Sequence, residues 1–170
     1  MLQGEMVMTG SGSAAMPPMA PTAAKPDTDV IDTRFGKVTV YRKNPILFPN
    51  GILGMPDRSE FCLTNFPSAK MARFKMLQSL EDDALSFITL PIDTNNPIFD
   101  AADLAQAAQE LEIPAAELTV LLIVSVHRES SGVRLSVNAR APLLVNAVKR
   151  TAVQHVFASS KYNIRHMLAF

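Results

Sequence analysis

From Arg34 to the C-terminus the chain never runs apolar for long. Turn residues such as Pro, Gly, Asn and Asp separate many of its segments, and those segments are short, β-branched, aromatic or alternately apolar and polar. The longest unbroken apolar run, Val120 to Val124, is five residues, far below the roughly 18 that a membrane-spanning helix needs. Short segments of this kind, divided by turn residues, are the signature of an all-β domain.

The segments read as strands over Phe35–Tyr41, Ile46–Phe48, Glu60–Phe66, Arg73–Ser79 and Ala84–Leu90, the last stopped by Pro91. Thr119–His127 and Val133–Ala139 follow as a hairpin about Gly132, and 143–148 pairs with 152–158, with Val153, His155 and Phe157 on one face. Pro49, Asn50 and Gly51 form a turn, Gly54 and Pro56 a second kink, and Glu81, Asp82 and Asp83 an acidic turn. One segment has helical spacing instead. Ala101, Leu104, Ala105, Ala108 and Leu111 recur along 101–112, Asp100 is a good N-cap, Asp103 suits the positive end of the dipole, and Pro114 blocks continuation. Residues 115–118 add a further turn. The expected fold is mainly β, a small antiparallel β-barrel-like or sandwich domain with one or two short helices.

Residues 1–28 hold five of the nine Met, four of the twelve Pro and three of the seven Gly, with no period of 2 or 3.6. The reading is a disordered tail over 1–33 and a single folded domain over 34–170. The first basic residue of the tail is Lys25 and its early apolar residues are scattered, which does not fit a secretory signal. Cys62 is the sole cysteine, so a reducing compartment, the cytoplasm, is expected.

Sixteen basic and sixteen acidic residues give a formal net charge of zero, which excludes a uniformly basic nucleic-acid binder. The distribution is uneven. Residues 1–124 carry nine basic and fifteen acidic groups, a balance of minus six, and residues 125–170 carry seven and one, a balance of plus six. From Glu81 to Glu117 every charged side chain is acidic. Either the two parts interleave as surface ion pairs worth little each, or an acidic lobe repels RNA and steers a partner. His127, His155 and His166 are spaced too widely for a metal motif, no cofactor signature appears, and no G-x-S-x-G elbow is present.

Several blocks carry a resemblance. Phe48-Pro49-Asn50-Gly51-Ile52-Leu53-Gly54-Met55, Leu77-Gln78-Ser79-Leu80-Glu81-Asp82 with Leu85 and Phe87, and Asn138-Ala139-Arg140-Ala141-Pro142-Leu143-Leu144-Val145-Asn146, followed by Gln154, Tyr162 and Arg165, resemble the flagellar assembly factor family FliW in order and spacing. Leu53 and Met55 stand where the family usually has Pro and an aromatic residue. The resemblance implies a small β-barrel-like fold, no enzyme activity, no cofactor, and two protein partners. These are the translational repressor CsrA, which such proteins release from flagellin messenger RNA, and flagellin itself, which titrates the factor away from CsrA. It places the molecule in the cytoplasm, monomeric when free, with no direct nucleic-acid or membrane contact.

The residues expected at the partner surface are Asn50, Gly51, Gln78, Glu81, Asp82, Asp83 and Arg140. Asn138 and Asn146 read as side chains that bond backbone at strand ends, and Gln78 and Gln154 as either buried network or partner contacts. Reversing all three acids of the acidic turn to Lys is expected to leave the fold intact. Two other readings stand beside this one. A small-molecule-binding or hydrolytic barrel would use Arg140, Gln154, His155 and Tyr162 around an apolar mouth, and a direct nucleic-acid binder would use Arg128, Arg134, Arg140, Lys149 and Arg150.

Overall fold

The computed structural model describes residues 27–169. Their strands are β1 (Thr28–Thr33), β2 (Gly36–Tyr41), β3 (Ile46–Leu47), β4 (Glu60–Asn65), β5 (Lys75–Ser79), β6 (Ser86–Ile92), β7 (Leu118–Glu129), β8 (Gly132–Val137), β9 (Leu143–Asn146), β10 (Thr151–Gln154) and β11 (His166–Met167). One α-helix, α1 (Ala101–Glu110), and short 3-10 turns at Ala69–Met71 and Ala115–Glu117 complete the secondary structure.

Strands β7, β6, β5, β4, β3, β10 and β9 are hydrogen-bonded in that order, and β9 pairs back onto β7, which closes a seven-stranded barrel. Six of the seven pairings are antiparallel and the β3–β10 contact, Thr151 opposite Leu47, is parallel. Parity requires this. Strands that alternate in direction cannot close a ring of odd number, so one neighbouring pair must run the same way. The expectation of an antiparallel barrel therefore holds with one necessary exception.

Closure sorts side chains by the period of two. Phe61, Leu77, Leu121, Leu143 and Val145 pack inside with Phe48 and Ile52. Their sequence neighbours Cys62, Met76, Val120, Leu122 and Leu144 point outward into a second cluster. Leu104, Ala107 and Ala108 of α1 and Ile31, Val38 and Val40 of the β1–β2 hairpin cover that outer layer. Burying each large aliphatic residue contributes about 1.5–3 kcal/mol, so both faces of the sheet hold the fold together.

Helix α1 starts as its sequence dictates, with Asp100 Oδ1 accepting from Ala102 N–H at 3.0 Å. Asp103 does not reach back to the Asp100 N–H. The buried Tyr162 hydroxyl stands between them, accepting from Asp100 N–H at 3.2 Å and donating to Asp103 Oδ2 at 2.5 Å.

Three boundaries differ from the sequence reading. Thr28–Thr33, assigned there to the tail, pairs along its whole length with β2 and buries Ile31. Its sequence has no alternation, and the signal comes only from its partner. The remainder of the expected tail, residues 1–26, lies outside the described residues. Pro91 does not stop β6 but stands opposite Leu121. The β5–β6 ladder ends at Thr89, so the strand has a single neighbour there and a missing N–H is tolerated. Strand β10 ends at Gln154, not at residue 158.

Candidate functional site

The acidic turn between β5 and β6 is built from the inside. Gln78 is fully buried, and its Nε2 lies within hydrogen-bonding distance of the carbonyls of Ser79 (3.1 Å), Asp82 (3.3 Å), Asp83 (3.2 Å) and Leu85 (3.0 Å). Ser79 Oγ accepts from the N–H groups of Glu81 and Asp82 at 3.2 and 3.1 Å, and Asp82 Oδ1 accepts from Ala84 N–H at 3.0 Å. Much of the turn's polar backbone is thus satisfied by the side chains of Gln78, Ser79 and Asp82.

The three carboxylates have different duties. Glu81 Oε2 accepts from Ser59 N–H at 2.7 Å and Glu60 N–H at 3.1 Å, anchoring the start of β4. The Glu60 backbone bond is the main reason its carboxyl titrates below the ordinary glutamate value, outweighing the cost of burial with help from Ser59 and Arg58. Asp82 lies 3.9 Å from Arg58. Asp83 is exposed, and its carboxylate has no partner among the described residues. Two expectations are corrected here. Gln78 offers no side-chain surface to a partner as the protein stands, because it is fully buried, with its Nε2 held by the turn. Reversing Glu81 is not neutral to the fold, because its carboxylate ties two strands' ends together.

The other expected residues join this end of the molecule through hydrogen bonds. Gly51 adopts φ +64° and an added Cβ would come within 2.3 Å of the Met55 carbonyl oxygen, so the turn requires glycine. Phe48 N–H donates to the Ser59 carbonyl at 2.8 Å, and the Ser59 N–H is one that Glu81 holds. On the opposite flank Gln154 bridges two segments, its Oε1 accepting from Leu53 N–H at 2.9 Å and its Nε2 donating to the Ala141 carbonyl at 3.2 Å. The 48–55 loop is therefore linked to the acidic turn on one side and to the Asn138–Asn146 block on the other. A cleft of about 260 Å³ lies along it, between Asn50, Leu53 and Gln154. Asn50 is exposed, and the half-buried Arg140 has no carboxylate partner among the described residues. Asn138 and Asn146 bond backbone N–H groups of Ala141, Val148 and Lys149, as expected of strand-end amides.

The barrel-pocket residues do not converge. Gln154 is occupied as a bridge, Tyr162 is buried under α1, and His155 packs edge-on to Phe157 at 4.8 Å in a separate groove beside α1. Nor do the basic residues form one patch. Arg150 Nε donates to the Asn44 and Pro45 carbonyls, and Arg134 pairs with Glu129 at 3.5 Å. The two halves of the charge map meet instead: Lys161 lies 2.6 Å from Asp103 and 3.5 Å from Asp100. That contact with Lys161, seconded by Tyr162, lowers the Asp103 pKa, and Asp103 raises that of Lys161.

Sequence reasoning missed one broad concavity. A groove of about 1020 Å³ opens between the β1–β2 turn, the 3-10 turn at Ala69–Met71 and the β7–β8 hairpin. Its floor is apolar and its rim carries Arg34, Lys70 and Arg128. The available signal was the alternation of Val124, Val126 and Arg128 past the point where the other barrel strands end.

Residues 29–168 match the family model described as FliW protein. Among curated relatives, the flagellar assembly factor FliW of Syntrophus aciditrophicus is 33% identical over 134 residues, covering 79% of this chain and 83% of that protein. The FliW of Bacillus pumilus is 31% identical over 142 residues, covering 82% and 95%. A crystal structure of the flagellar assembly factor FliW superposes with a TM-score of 0.63 at 23% identity, covering 82% of this chain and 96% of that one, which supports the fold.

Proposed function

The chain belongs to the FliW family, and from that premise we propose that it is a non-catalytic cytoplasmic factor in flagellar assembly that binds CsrA and flagellin by turns. Bound to CsrA it relieves repression of flagellin messenger RNA. Free flagellin competes for it and restores repression. The observation that best supports this reading is the convergence of the three family blocks, through Ser59, Glu81 and Gln154, at one end of the barrel.

The contact residues in this reading are Asn50, Asp82, Asp83 and Arg140 on the surface, with Gly51, Gln78 and Glu81 shaping the turns that carry them. Negative charge at Asp82 and Asp83 would steer a basic partner and disfavour phosphate nearby. The test is co-elution of the purified protein with CsrA and with flagellin from the same source, followed by release of a flagellin leader RNA from CsrA. Asp83→Lys should slow CsrA capture about threefold or more at low salt, an effect that fades as salt is added. Failure to co-elute with either partner at low salt would sink the proposal.

A further inference from the structure

The charged residues that line the groove are all cations. Arg34, Lys70 and Arg128 are exposed on its rim, no carboxylate lines it, and none of the three makes an ion pair among the described residues. Six of the other described cations, Lys37, Arg42, Lys43, Arg58, Arg134 and Lys161, lie against a carboxylate. The floor is unusual as well. Val126 and Val133, 46% and 63% exposed, present aliphatic surface beside the buried Ile88 and Val124.

The backbone beside it is also unfinished. The β6–β7 ladder ends at Thr89 opposite Ile123, whereas β7 continues to Glu129. Along the other edge β8 is followed by β9, with Val137 opposite Val124 and Leu143 opposite Leu121. The edge that β6 occupies up to Ile123 therefore has no strand neighbour from there to Glu129 among the described residues. An open edge offers backbone donors and acceptors to an added strand, and the pockets beside it select alternate side chains.

We propose that this groove binds an extended segment of a partner protein in which acidic and aliphatic residues alternate, laid along the open edge of β7. Its backbone pairs with that edge, its aliphatic side chains cover Val126 and Val133, and its carboxylates meet Arg34, Lys70 and Arg128. RNA fits less well, because stacking needs bare aromatic faces. Phe74 is 5% exposed, and the Arg34 guanidinium already lies over the Phe35 ring at 4.8 Å. The proposal does not depend on the identity of the partner at the acidic turn.

The test titrates the full-length protein with a fluorescein-labelled peptide of roughly nine residues, a strand's length, alternating Glu and Val. Saturable binding is expected, with slowed amide exchange at Val126 and Arg128. Lys70→Glu combined with Arg128→Glu should weaken it about tenfold or more, and Val133→Asp, at an exposed position, should do the same without unfolding the protein. Equal affinity of these variants would overturn the proposal. So would equal or tighter binding of a Lys/Val peptide or of oligouridine. Two other occupants have their own signatures, each equally fatal. A dimer of the unliganded protein that Val133→Asp dissociates would make the occupant a second copy. A gain in peptide affinity on Glu5→Lys, which reverses the sole carboxylate of residues 1–26, would make it the protein's own N-terminal segment.

Discussion

The acidic turn and the cationic groove carry charge in opposite ways. In the turn, negative charge is tied into the architecture: Glu81 holds two N–H groups of β4's approach, Asp82 caps Ala84, and buried Gln78 gathers the carbonyls. At the groove, Arg34, Lys70 and Arg128 come from three distant parts of the chain and carry no ion pair among the described residues. A run of like charges in sequence is thus a poor guide to available charge. What matters is whether neighbours have already satisfied it.

The largest way to break this contrast is Gln78→Leu, which leaves several loop carbonyls without their shared donor. A loss of about 2–3 kcal/mol in urea unfolding is expected, together with a weakening of the proposed CsrA capture although every acid remains. If stability is unchanged, the turn does not depend on its buried amide. Tyr162→Phe should cost about 1–2 kcal/mol, since it removes the hydroxyl that links Asp100 N–H to Asp103. An unaltered unfolding curve would make that link incidental.

Glu81→Gln is smaller and depends on pH. The folded carboxyl titrates below its ordinary value of 4.5. Its stabilisation is therefore complete above that value and disappears as pH falls through the folded one. The variant should lose about 1 kcal/mol at neutral pH, screening included, and the difference from the parent should vanish in acid. A pH-independent difference would assign the effect to shape instead of charge. At the other pole, Lys70→Glu with Arg128→Glu should alter stability by no more than about 0.5 kcal/mol. A clear loss would mean that these cations are structural after all.

Much of the barrel was legible because a strand buried on both faces writes a short continuous apolar run bounded by turn residues. Phe61 and Cys62, Met76 and Leu77, and Leu143 and Leu144 are apolar neighbours that part company to the inner and outer clusters. Helix α1 was legible from its cap and spacing. The β1 strand was not, since Thr28–Thr33 gains its strand character from pairing with β2. Pro91 misled for a related reason: its effect depends on which strands flank it, and β5 has already ended there. At the site, the turns at Asn50–Gly51 and Glu81–Asp83 were visible in the sequence, but Gln78 reads there as an ambiguous amide. Burial alone decides that it serves the turn.

By itself the sequence determined the β class, the helix and its cap, the turns, and the blocks that mark the family. These rest on local geometry and on spacing along the chain. Tertiary structure alone decided that seven strands close with one parallel pair, that Lys161 neutralises part of the acidic stretch, and that three scattered cations rim one apolar groove. Each of those depends on which distant residues become neighbours, and the Coulomb and desolvation energies that assign a charge its role act through space and not along the chain.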